Sequence, residues 1–173
     1  SFYSHKEQQA LEDAKDRIKK CIDVKSGKVV TGATASHLVE ILMNRIPDYI
    51  LCIGSNYEHD AIERYLDIRV DSEEELENHL RKYNEPCYVF WMLCNNVTGK
   101  VFDVESIGKL CHKYNAFFIC DMTASVGKLP IPKNIESWCD CCFASSHKWH
   151  GEKNDGFMWL SDKLCNALQL TQG

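Results

Sequence analysis

The sequence lacks a basic stripe. Its 20 lysines and arginines face 25 acids, a net charge of −5. The densest basic cluster, Lys15 to Lys20, is interrupted by Asp16 and reads as a solvated helix face. Nucleic-acid binding draws on a concentrated positive field, so no nucleic-acid partner is expected. No apolar run approaches the roughly 20 residues of a membrane span, and no membrane partner is expected either. Internal repeats, low-complexity tracts, domain linkers and a cleavable signal segment are absent as well. The chain begins with Ser1 rather than Met, and we expect it to be a piece of a longer protein.

What is present is enough apolar material for one core. At 173 residues and 45% hydrophobic content the chain fits one ordinary domain, residues 1–173, and is too apolar for a disordered one. It also holds ten cysteines, most of them inside apolar runs such as Cys87-Tyr88-Val89-Phe90-Trp91-Met92-Leu93-Cys94. A free cysteine packs as a small hydrophobe, whereas a disulfide scaffold is a smaller, loop-rich chain. The cysteines therefore read as reduced core residues, and the expected location is cytoplasmic. Cys139 and Cys142 have the spacing of half a zinc site, but no second pair follows, and only His147 and His150 stand near as further ligands. Core residues rather than metal ligands are the expectation, with no metal site.

Leu11, Ala14, Ile18, Cys21 and Ile22 recur at helical steps and predict a helix over 5–22. Lys28 to Thr31 predicts a short strand, and a helix follows from Ala35. A buried strand is predicted at Tyr49 to Ile53, a helix over 58–66, an extended stretch from Leu66 to Val70, and a helix opened by Asp71-Ser72-Glu73-Glu74-Glu75. In the second half, strands are predicted at Tyr88 to Cys94, Phe117 to Cys120, Cys141 to Ala144 and Gly156 to Leu160, with a helix from Val104 to Tyr114. Seven strands separated mostly by helices predict an α/β fold of three layers, a mostly parallel seven-stranded sheet with helices on both faces.

Ligands bind such sheets at the carboxyl ends of the strands. There the sequence places Thr34, Glu58-His59, Asn95-Asn96, Asp121 and Ser145-Ser146-His147-Lys148. A lysine set among aromatic rings and another cation has a lowered pKa, and its neutral amine can attack an aldehyde to form a Schiff base. Pyridoxal phosphate is such an aldehyde. It needs an anion cradle, a carboxylate for its pyridine nitrogen, a stacking group and a donor to its phenolic oxygen. Thr34, Ser145 and His147 can make the cradle, the first at a helix start where amides favour phosphate. Asp121 can hold the ring nitrogen, His59 can stack, Asn96 can donate and Lys148 can carry the aldehyde. Each has a plainer reading: Asp121 and Thr34 as helix caps, Asn95-Asn96 as a turn, His59 and Lys148 as surface residues.

Together these stretches resemble the class V family of pyridoxal-phosphate enzymes, most closely the NifS-like cysteine desulfurases. The matching segments are Thr31-Gly32-Ala33-Thr34, Glu58-His59, Asn95-Asn96-x-x-Gly99, Asp121-x-x-x-Ser125-Val126-Gly127-Lys128-Leu129-Pro130 and Ser145-x-His147-Lys148-x-x-Gly151-x-Lys153. They stand in the family's order at about its spacings, from about Ser4 to Lys163. The resemblance implies the aspartate-aminotransferase-like large domain, a sheet whose last strand alone is antiparallel, with the C-terminal small domain absent. It implies Lys148 as the Schiff-base lysine and His59 as the stacking catalytic residue. Asp121 and Asn96 become the ring contacts, and Thr34, Ser145 and His147 the phosphate ligands. It further implies pyridoxal 5'-phosphate as cofactor, L-cysteine as the amino-acid substrate, a homodimer in the full-length form, and a sulfur-acceptor protein.

Two departures matter. Ala124 stands where the family usually has a glutamine near the phenolic oxygen, a loss of one hydrogen bond or about 0.5–1.5 kcal/mol net. After the lysine the chain reads Gly151-Glu152-Lys153-Asn154 rather than the usual Gly-Pro-Lys-Gly. The family's nucleophilic cysteine and carboxylate-binding arginine lie well beyond the lysine, and this segment alone is expected to be inactive in sulfur transfer. The alternatives are a degenerate homologue, kept as a cofactor-binding or interaction module, and a metal-binding structural protein favoured only by the cysteine count.

Overall fold

The computed structural model describes residues 4–95, 97–123, 131–145 and 156–170. Short polar caps set where the helices start. Helix α1 (His5–Cys21) begins after Ser4, whose hydroxyl accepts from the Glu7 N–H at 3.1 Å while the Glu7 carboxylate accepts from the Ser4 N–H at 3.0 Å. That exchange satisfies two amides which a first helical turn leaves open. Thr34, Ser72, Asp103 and Ser161 cap α2 (Ala35–Arg45), α4 (Glu73–Lys82), α5 (Val104–Lys113) and α7 (Asp162–Ala167) with the same side-chain bond.

The strands β1 (Lys28–Ala33), β2 (Leu51–Ser55), β3 (Ile68–Val70), β4 (Cys87–Met92), β5 (Phe117–Asp121), β6 (Cys141–Ser145) and β7 (Gly156–Leu160) form one sheet. Their order across it is β1-β7-β6-β5-β4-β2-β3. Only β7 runs antiparallel, to both β1 and β6; the other pairs are parallel. Side chains alternate between two cores, as the two-residue period of a strand requires. Val89, Trp91, Phe118, Cys120 and Trp159 face α4, α5 and the short α6 (Ile135–Trp138). Tyr88, Phe90, Ile119, Cys141 and Met158 face α2, α7 and the short α3 (Asp60–Glu63). The predicted three-layer α/β architecture is thus observed, with both faces of the central strands dry.

Several boundaries move. The strand predicted from Tyr49 runs instead from Leu51 to Ser55, because Tyr49 is 85% exposed while Gly54 and Ser55 are buried. The helix predicted over 58–66 contracts to Asp60–Glu63, and Ile62 is its buried contact. Helices α6 and α7 were not predicted; four and six residues are too few to show a period. The cysteines are free thiols and mostly buried. In the Cys139–Cys142 cluster, Cys139 donates to the Cys141 carbonyl at 3.0 Å, and Asp140 accepts from the Phe118 N–H at 2.7 Å and contacts the His112 ring at 2.8 Å. Among the described residues no three His, Cys, Asp or Glu side chains are grouped to hold a metal ion. No described helix is long and apolar enough to cross a membrane.

Candidate functional site

The carboxyl ends of β2, β4, β5 and β6 open into a cleft of about 490 Å³. One wall is the first turns of α2, with Ala35, Ser36 and Val39; the opposite wall is the loop after β4, with Asn95, Val97 and Thr98. Tyr57, Glu58 and His59 close one end. The floor follows from strand register: Met92 pairs with Asp121, and Asp121 pairs with Phe143, so three neighbouring strands present these side chains side by side. A carboxylate is thereby set between two apolar groups.

Asp121 is 8% exposed. Its Oδ1 accepts from the Thr123 N–H at 2.8 Å, a turn that fixes the carboxylate at the strand end. Burial pushes its carboxyl above the usual range; the Thr123 hydrogen bonds and the nearby His59 ring pull the other way. Among the described residues no lysine or arginine forms an ion pair with it.

His59 caps α3, its Nδ1 accepting from the Ala61 N–H at 3.1 Å. This holds the exposed ring at the mouth of the cleft. Beside it Glu58 is buried, with Oε2 bonded by the Ser55 hydroxyl and Oε1 without a hydrogen-bond partner among the described residues. Burial pushes the Glu58 carboxyl up to about 8, the Asp121 charge adds to this, and the Ser55 bond opposes it. The Glu58-His59 motif contains this residue without disclosing a role for it. The spacing Ser55-x-x-Glu58 after a buried strand is the signal that was there.

Thr34 and Ser145 lie at the rim, brought near one another by the antiparallel β7. Gly156 pairs with Ala33 on one side and with Ser145 on the other, so the two strand ends are about 10 Å apart across it. A Cβ at Gly156 would lie 2.4 Å from the Ala35 nitrogen and 2.8 Å from its Cα. Only glycine lets the start of α2 settle on this edge. The Thr34 hydroxyl is engaged as the cap, accepting from the His37 N–H at 3.2 Å, and Ala35 and Ser36 are the first-turn residues of α2 that line the cleft. By helix geometry their amides lack intrahelical partners. Asn95 turns its own loop, its Oδ1 accepting from Val97 and Thr98 N–H groups at 2.8 and 3.2 Å. His59 and Asp121 therefore share the cleft, and Thr34 and Ser145 flank it. Asn96, Ala124, His147 and Lys148 lie outside the described residues.

The profile of the family described as aminotransferase class-V matches residues 2–173. A cysteine desulfurase IscS from Histophilus somni is 30% identical over 177 residues, covering 90% of this chain and 43% of that protein. Among solved structures, a NifS-like protein from Rickettsia africae superposes with a TM-score of 0.83 at 22% identity, covering 94% of this chain and 50% of that one. A serine palmitoyltransferase from S. paucimobilis with bound PLP reaches 0.74 at 13% identity, covering 92% and 45%. At those identities the two structures show a shared fold. The chain spans about half or less of the length of these relatives.

Proposed function

The chain belongs to the class-V aminotransferase family, and from that premise we propose that it forms the pyridoxal-phosphate-binding domain of a cysteine desulfurase acting on L-cysteine. The observation that carries the reading is Asp121, a buried carboxylate at the floor of a cleft, without a lysine or arginine partner among the described residues. A buried anion is stabilised by a cation, and a protonated ring nitrogen is one that a flat cofactor brings. The apolar Met92 and Phe143 beside it, the ring of His59 above the mouth, and the open amides at the start of α2 suit an aromatic ring with a phosphate tail. The residues present therefore fit the group.

When bound, pyridoxal phosphate supplies an electron sink for carbanion chemistry at an amino acid. Asp121 holds the proton on the ring nitrogen. His59 covers one face and is kept in position by its bond from the Ala61 N–H. The α2 amides and Ser145 orient the phosphate, and we assign His147 to the same task, Asn96 to the phenolic oxygen and Lys148 to covalent attachment of the aldehyde. L-Cysteine as substrate, a homodimer and a sulfur-acceptor protein complete the proposal for the whole protein. Ala124 favours the second reading, a homologue that binds the cofactor without turnover.

The test is borohydride reduction after incubation with pyridoxal phosphate, followed by peptide mapping. Label should appear on Lys148. Asp121→Asn removes a charged hydrogen bond and should weaken cofactor binding by about 1.5–3 kcal/mol, roughly tenfold to a hundredfold in Kd. Label on another lysine, or equal affinity in the Asn variant, would count against these roles.

A further inference from the structure

We propose that Glu58 is a positioning residue for Asp121, the neutral partner of a carboxyl pair at the floor of the cleft, so that the site presents one negative charge to a singly positive ring nitrogen. The proposal rests on the reading of the cleft as a cofactor site. It starts from two carboxyls, each 8% exposed, that line the same cavity. Two neighbouring buried carboxylates do not both ionise near neutral pH; one keeps a proton, and the pair titrates together.

Which one keeps it follows from their partners. Asp121 accepts from the Thr123 N–H at 2.8 Å and faces the His59 ring. Glu58 is bonded by the Ser55 hydroxyl at Oε2, and among the described residues its buried Oε1 has no hydrogen-bond partner. An anion with a bare oxygen in an apolar setting is costly, whereas a neutral acid is much less so. Burial and the Asp121 charge both favour the protonated form of Glu58, against the Ser55 hydroxyl and the nearby Met92 main chain, which does not hydrogen-bond Oε1. Among the described residues no lysine or arginine lines the cavity: the Cys120 thiol on β5 is held neutral by burial, Tyr57 and Asp60 flank the same loop, and the neighbouring His59 ring acts on Asp121. Glu58 thus leaves Asp121 as the anion that a ligand meets.

The experiment follows the side-chain carboxyl carbons of Glu58 and Asp121 by NMR across pH in the cofactor-free chain, in the wild type and in Glu58→Gln. The Glu58 signal should titrate with a midpoint of about 8. Asp121 should show the same step, and should lose it in the Gln variant, which copies the neutral acid. Ordinary carboxylate titration of Glu58, or an Asp121 curve unchanged by the substitution, would overturn the proposal. Added pyridoxal phosphate then serves as the probe. The ratio of the two proteins' Kd values should change across the Glu58 midpoint, as Glu58 ionises in the wild type alone. Binding whose pH profile is identical in both proteins would overturn the assignment. Failure of the probe to bind, with the coupled titration intact, would uphold the carboxyl pair and remove the cofactor reading.

Discussion

Glu58 also leaves a mark on stability. Its carboxyl ionises at about 8 in the folded chain against an ordinary value of 4.5. Between those values the unfolded state binds fewer protons than the native state, so stability falls as pH rises from 4.5 to 8 and levels off above. Glu58→Gln removes that slope. The stability difference between the variant and the wild type should move in the variant's favour by a few kcal/mol across this window, at about 1.4 kcal/mol per pH unit. Urea unfolding of both proteins at the two ends of the window measures it; parallel curves would show that Glu58 titrates normally. The tasks expected of His59 and Asp121 were readable because residue type and strand-end position suggest them. The state of Glu58 was not, because a proton held at neutral pH depends on burial, which three polar residues in a row do not disclose.

At the scale of elements, the decisive contact is α2 against β7. Gly156 admits the Ala35 main chain at a distance where any Cβ would collide with backbone. Gly156→Ala should therefore lift the start of α2, at about 1–3 kcal/mol, with a lower Tm and weaker binding of pyridoxal phosphate. Substitution at Gly99, where a Cβ would meet nothing within 4 Å, serves as the control for cavity effects, although its φ of +73° adds backbone strain there. An unchanged Tm and Kd in Gly156→Ala would show that α2 does not depend on this approach. The strands were legible because burial on both faces demands continuous apolar runs. Helices α6 and α7 were not, since Ile135 and Trp138 in the one and Leu164 and Cys165 in the other anchor segments too short for a periodic pattern. Strand β2 was read two residues early because Tyr49 and Ile50 continue its apolar run, while Gly54 and Ser55 belong to it through tertiary burial.

Across the whole molecule, most of the cysteines pack in the core; Cys21, at the end of α1 and away from the cleft, is exposed. Burial pushes Cys87 up to about 11 and Cys52 and Cys142 to about 12, and raises Cys111, Cys120, Cys139 and Cys141 well above the usual thiol value. Sulfur transfer needs an accessible thiolate. Cys94 is the one cysteine that lines the cleft; it is half-buried at a strand end, with its Sγ 3.7 Å from the Asn95 carbonyl. The 173-residue chain loaded with pyridoxal phosphate should release no measurable sulfide from L-cysteine; release that Cys94→Ser abolishes would assign a nucleophile to this cleft. The amino-acid sequence alone determined the alternation of strands and helices, the apolar runs of a doubly covered sheet, and the polar residues that end each strand. These are local properties, set by side-chain period and by capping chemistry. The tertiary structure decided the lateral order β1-β7-β6-β5-β4-β2-β3. That order sets Ala33 and Ser145 on either side of Gly156, and brings Asp121 into one cleft with Glu58. Strands far apart in the chain become neighbours through hydrogen bonding and packing across space, and the burial they create then decides which carboxyl holds a proton.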